Sequence, residues 1–113
     1  MNYTIKHVAI NHDTDEAARA TAERLEYLFG QPRQPETSFS IFTGTLFEVM
    51  KPGGKGRAGH IALQVEDMDA AIADLTAKGV EFVESSIRRD ENGRITFIYL
   101  KEEFAGFALH LTV

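Results

Sequence analysis

Three of the four histidines in this 113-residue chain and one carboxylate fall where a sheet could gather them: His7, His60, His110 and Glu48. Successive side chains of a strand point to opposite faces, so each extended segment splits by parity. One parity is apolar, with Val8 and Ile10, Phe47 and Val49, Ile61, Leu63 and Val65, then Phe107, Leu109, Leu111 and Val113. The other carries His7, Ala9 and Asn11, then Leu46, Glu48 and Met50, then His60, Ala62 and Gln64, then Ala108, His110 and Thr112. A solvated sheet face would be rich in Lys, Glu and Thr, whereas imidazoles interleaved with alanines suggest a lined concavity. Three imidazoles and a carboxylate suffice to ligate a divalent first-row ion, and nitrogen donors favour zinc, nickel, iron or manganese over calcium or magnesium. The plain alternative is four unrelated strand residues in water.

The elements that must position these residues are legible from periodicity. Residues 5–10 alternate as a strand, and Asp13 or Thr14 then caps a helix that runs to about Phe29 and stops at Gly30. Two prolines make residues 31–36 a loop, and residues 38–43 and 45–51 read as short strands hinged at Gly44. Pro52-Gly53-Gly54-Lys55-Gly56 then interrupts the pattern, since three glycines and a proline enter neither helix nor ladder without cost. Beyond it residues 59–65 form a strand, and Asp67 or Asp69 caps a helix to about Lys78, with Gly79 as its stop. Strands follow at 81–84, 95–100 and 107–113.

The chain repeats. An offset of 53 residues lays His7 on His60, Ala9 on Ala62 and Ala17-Ala18 on Ala70-Ala71. An offset of 62 lays Leu46-Phe47-Glu48-Val49 on Ala108-Leu109-His110-Leu111, which leaves a nine-residue surplus for a longer hairpin around Asp90-Glu91-Asn92-Gly93. Each half therefore reads β-α-β-β-β, and a pseudo-twofold axis would bring all four polar residues together. The expected architecture is α+β, two βαβββ modules forming one cupped sheet. It is a single domain, with module one at 1–52, a linker at 53–57 and module two at 58–113.

Composition bounds the rest. With 43% hydrophobic residues the chain can bury one modest core. Twelve Lys and Arg against seventeen Asp and Glu, with no basic stripe, argue against a nucleic-acid partner. The absence of cysteine excludes disulfides, thiolate zinc sites and cysteine nucleophiles. No stretch reaches the ~18 apolar residues of a membrane span, and the N-terminus has no apolar h-region, so a cytoplasmic protein is expected.

The paired halves, the openings His7-Val8-Ala9-Ile10 and His60-Ile61-Ala62-Leu63, and the closings Leu46 to Pro52 and Gly106-Phe107-Ala108-Leu109-His110-Leu111 resemble the vicinal oxygen chelate superfamily. That superfamily includes glyoxalase I, methylmalonyl-CoA epimerase, extradiol dioxygenases and bleomycin-resistance proteins. The resemblance covers essentially the whole chain and implies metal positions at His7, Glu48, His60 and His110. It departs at His110, where glyoxalase I and many relatives carry a carboxylate, and this argues against oxygen activation in its usual form. The final strand also resembles the glyoxalase-like domain appended to some bacterial 2-dehydro-3-deoxyphosphogluconate aldolases. The resemblance implies a metal-dependent lyase or isomerase acting on a small 2-oxo or 2-hydroxy acid or sugar-acid-type substrate, and Glu48, as the one carboxylate among the four, is the candidate general base. The rival readings are a non-catalytic small-molecule-binding protein of the bleomycin-resistance kind and an accessory domain of sugar-acid metabolism. A homodimer is expected, because modules must pair edge to edge within or between chains.

Three weaker signals complete the reading. Gly53-Gly54-Lys55-Gly56 lacks the spacing of a phosphate loop and reads as a linker. His12 reads as an exposed loop residue. Arg88, Arg89 and Arg94 flank the long hairpin, either as solvated charge or as a clamp for a carboxylate or phosphate, and one or two of Phe39, Phe42, Phe97, Tyr99 and Phe104 could wall a pocket.

Overall fold

The computed structural model describes residues 1–113. Its elements are β1 (Thr4–Ile10), α1 (Asp15–Phe29), β2 (Ser40–Thr43), β3 (Phe47–Met50), β4 (Gly59–Gln64), α2 (Met68–Ala77), β5 (Phe82–Arg89), β6 (Ile95–Phe104) and β7 (Phe107–Thr112). The strands form one seven-stranded sheet in the order β2-β3-β1-β4-β7-β6-β5. The two halves meet inside the chain where β1 and β4 pair antiparallel, and each closing strand lies parallel to its opening strand, β3 on β1 and β7 on β4.

Both helices begin where a short polar side chain can take up a free amide. Thr14 accepts from Ala17 N at 3.0 Å and Asp67 accepts from Ala70 N at 3.0 Å, and α1 ends at Gly30 in the left-handed region. Ala18 and Ala22 of α1 seat on Ile41 of β2 and Val49 of β3. Met68 and Ala71 of α2 seat on Val65, Ile98, Leu100 and Leu111. The helices thus cover the two wings of the sheet. Between them Val8, Ile10, Ile61, Leu63, Phe107 and Leu109 of the apolar parity are only half-buried.

The first half supplies three strands rather than four. Where a further strand would lie, only an isolated bridge joins Arg33 to Thr43. Pro32 and Pro35 flank it, and neither has an amide hydrogen to extend a ladder. The second half absorbs its extra residues in the β5–β6 hairpin, whose strands run well past the lengths expected from periodicity. The ladder there shifts register between Val83 and Arg88. At the shift Ser86 Oγ accepts from Tyr99 N at 2.8 Å and donates to Val83 O at 2.6 Å, replacing ladder bonds that the irregularity removes.

His12 is not a free loop residue. Its imidazole lies 3.0 Å from Met50 O and 2.7 Å from Thr21 Oγ1, pinning the end of β1 to β3 and α1, because the chain turns into the helix at once.

Gly59 opens β4 against β1. A Cβ there would run into the Ala9 carbonyl oxygen, so the close β1–β4 approach requires glycine. Gly59→Ala should therefore cost about 3 kcal/mol of unfolding free energy. Gly93→Ala meets open space and should cost about 1 kcal/mol for its left-handed backbone alone. Urea denaturation of both variants measures the contrast.

Candidate metal centre

Strand register delivers the four polar residues to one face. His7 stands opposite Ala62, and Ala9 opposite His60, across the β1–β4 pair. Ala9 also neighbours Glu48 on β3, and Ala62 neighbours His110 on β7. Each imidazole thus has an alanine beside it, and Ala9, Ala62 and Ala108 are fully buried beneath the side chains they make room for. The result is a cup of about 670 Å³. Phe42, Phe97 and Tyr99 line it, while Ser40, Lys55 and Arg88 add polar groups.

The donors converge on one point. His7 Nε2 lies 3.4 Å from His60 Nε2, and Glu48 Oε1 lies 3.4 Å from the first and 3.2 Å from the second. Ligands bonded tetrahedrally at ~2.0–2.1 Å are spaced about 3.3–3.4 Å apart, so these three atoms have the separations that one first-row ion needs. His110 completes a set of three imidazoles whose ligand atoms all lie within 4.8 Å of one another. Its Nδ1 is 3.4 Å from Leu111 O, and its ring stacks 4.2 Å from Phe97.

Electrostatics suits cation binding. Burial, together with the facing imidazoles of His60 and His7, pushes the His110 imidazole down to about 4, so its lone pair is available at neutral pH. Burial raises the Glu48 carboxyl, but hydrogen bonds from His60, His7 and Ser40 outweigh it and hold the group ionised well below the usual carboxylate range. Ser40 Oγ donates to Oε2 at 2.8 Å and leaves Oε1 facing the histidines. His60 Nδ1 is buried without a hydrogen-bond partner. His7, His60 and Glu48 therefore fit a divalent ion in type and spacing, and His110 stands beside them as a further imidazole.

Sequence reasoning missed Ser40, whose role depends on which β2 residue lies beside Glu48. It also left Arg88 unresolved among the three hairpin arginines. Pairing with Phe97 turns Arg88 toward the cup, whereas Arg89 Nη1 donates to Gly93 O in the hairpin itself.

A depressed histidine carries a pH signature. Unfolded His110 binds its proton near the ordinary 6.5 and the folded residue only near 4, so stability of the metal-free protein should fall as pH drops through that window. NMR should show the His110 ring protons unchanged from pH 8 to about 5, and a midpoint near 6.5 would refute the buried environment.

Comparison with known proteins places this geometry. Residues 10–99 match the Glyoxalase/Bleomycin resistance protein/Dioxygenase superfamily. No curated protein sequence matches the chain. Among solved structures, a single-site variant of Streptomyces coelicolor methylmalonyl-CoA epimerase with 2-nitronate-propionyl-CoA superposes with a TM-score of 0.58 at 20% identity, covering 97% of this chain and 96% of that one. The Mycobacterium tuberculosis methylmalonyl-CoA epimerase gives 0.60 at 18% identity, with 96% and 85% covered. A triple mutant of 4-hydroxymandelate synthase from Streptomyces coelicolor gives 0.66 at 19% identity, with 99% of this chain and 49% of that one covered. These likenesses agree with the α+β cupped sheet, and with the family match they lead to one conclusion: the chain belongs to the Glyoxalase/Bleomycin resistance protein/Dioxygenase superfamily.

Proposed function

We propose that the protein is a glyoxalase-like metal-dependent lyase or isomerase that moves a proton beside a carbonyl of a small 2-oxo or 2-hydroxy acid or sugar-acid-type substrate. The observation that carries this reading is the mutual 3.2–3.4 Å spacing of His7 Nε2, His60 Nε2 and Glu48 Oε1. In it His7, His60 and His110 hold zinc, nickel, iron or manganese, with Glu48 as the fourth ligand. When bound, such an ion polarises a carbonyl and acidifies the adjacent C–H. Glu48 accepts the proton, and the Ser40 hydroxyl fixes the carboxylate's orientation while it does so. Phe42, Phe97 and Tyr99 wall off water from the reacting atoms. Residues 1–52 and 58–113 act as two modules of a single domain, and neither half alone contains the site.

One observation favours a second reading. A carboxylate held as low as Glu48 is a weak base, which suits a non-catalytic small-molecule-binding protein or an accessory domain of sugar-acid metabolism. No helix is long and apolar enough to cross a membrane. The exposed Tyr27, Leu28 and Phe29 at the end of α1 support the homodimer expected from the sequence.

Metal analysis of protein purified without chelator should return about one ion per chain on this reading. Glu48→Gln should leave ligand binding in place and lower deuterium exchange into a bound 2-oxo acid by about 10²-fold, followed by NMR. His60→Ala should weaken metal affinity first, with exchange partly restored by excess metal. Unchanged exchange in Glu48→Gln would remove Glu48 as the base. No exchange in metal-loaded wild type with 2-oxo acids, sugar acids or hemithioacetals would leave the binding reading. Light scattering that gives a mass near 12.6 kDa at micromolar concentration would refute the dimer.

A further inference from the structure

The cup is basic in an acidic protein. The chain carries a formal charge of −5, yet Glu48 is the one acidic residue that lines the cup, while Lys6, Lys55 and Arg88 all do. Lys6 is engaged, its Nζ donating to Val113 O at 3.2 Å. Lys55 and Arg88 are not. Neither side chain makes an ion pair or hydrogen bond, although the chain has seventeen carboxylates to offer. Instead each rests on an aromatic wall, Lys55 Nζ 4.9 Å from the Tyr99 ring centre and Arg88 Cζ 4.3 Å from that of Phe97.

Arg88 is placed there by construction. Val83 pairs with Tyr99, and strict alternation along β5 would turn residue 88 to the opposite face from residue 83. The register shift braced by Ser86 reverses that parity, so Arg88 pairs with Phe97 on the cup side. Phe97 in turn stacks on His110. Phe97 thus contacts both the guanidinium and the imidazole of the donor cluster. Lys55 approaches from the glycine-rich segment on the other side, above Tyr99, whose ring packs edge-on to both His60 and His110.

We propose that Arg88 and Lys55 form a clamp for a second anionic group, so that the ligand carries a carboxylate or phosphate a few carbon atoms from the oxygens that meet the histidine–glutamate cluster. This deepens the proposed function and rests on it for the chelating end of the ligand. The clamp itself needs only the two cations. A guanidinium offers a carboxylate or phosphate two parallel donors, and the lysine adds a mobile charge that can close over the same group.

The test uses ligand pairs that differ only in the remote anion: 2-oxoglutarate against 2-oxopentanoate, and 3-phosphohydroxypyruvate against 3-hydroxypyruvate. Titration calorimetry is run on zinc-loaded and on metal-stripped protein. The member with the remote anion should bind at least about tenfold more tightly in the zinc-loaded protein, with the advantage shrinking as salt rises. Whichever pair shows the larger advantage identifies the tail as carboxylate or phosphate. Arg88→Gln and Lys55→Gln should each remove most of that advantage, and Arg88→Lys should restore part of it. Thermal melts of the variants confirm that the fold is retained. If metal fails to bind, the advantage must still appear in the metal-stripped protein, which separates failure of the metal reading from failure of the clamp. Equal affinity within both pairs in both states, or an advantage untouched by Arg88→Gln and Lys55→Gln, overturns the clamp.

Discussion

Everything in the site depends on the antiparallel pairing of β1 with β4. That ladder sets His7 against Ala62 and Ala9 against His60, so that on the cup face a large side chain faces a small one across the central seam. Were both members large, the imidazoles would splay apart. Were both small, the sheet would have no donors to gather. The parallel additions of β3 and β7 extend the same alternation outward and bring Glu48 and His110 to the cup. The fully buried alanines are thus as necessary as the histidines, since sheet geometry leaves ~4.5–5.5 Å between facing Cβ atoms whatever stands there.

A second constraint is charge. Three imidazoles packed around one carboxylate, all largely out of water, are stable together only while the carboxylate is well solvated by donors. Ser40 and the two nearer histidines provide that solvation for Glu48, and burial keeps His110 uncharged. The cluster therefore sets one ionised carboxylate among three imidazoles, the donor types that a divalent first-row ion takes. Farther out, uncommitted cations over aromatic rings give the mouth of the cup the opposite sign.

How much of this was legible in the sequence follows from how strictly each feature obeys alternation. Glu48, His60 and His110 sit on strands whose parity is locally unbroken around them, His7 lies just past a register shift after Ile5 and in regular alternation with the residues that follow it, and the repeat offsets supplied the relation between halves. The caps were legible as Asp13 or Thr14 and Asp67 or Asp69, because side-chain chemistry favours short polar residues there, and the backbone selects Thr14 and Asp67. What was not legible depends on irregularity or on register between distant strands. The shift near Ser86 turns Arg88 inward, and no local pattern announces it. Pro32 and Pro35 were visible as a loop signal, but that they reduce an entire strand to one bridge depends on the neighbouring Thr43. The half-buried central strip arises because two helices of fifteen and ten residues cover the wings and not the middle.

The same seam has a kinetic consequence. The donors are contributed by β1, β3, β4 and β7, which span the chain from His7 to His110. No local segment contains more than one of them, so the cluster cannot form in a growing polypeptide until the last strand has emerged and docked in parallel beside β4. Parallel, long-range pairings of this kind are the slow steps of sheet assembly. Each half can seat its own helix on its own strands beforehand, as the two separate apolar clusters indicate. Folding should therefore end, rather than begin, at the histidine–glutamate cluster, and an ion captured there would act as a latch on the finished topology.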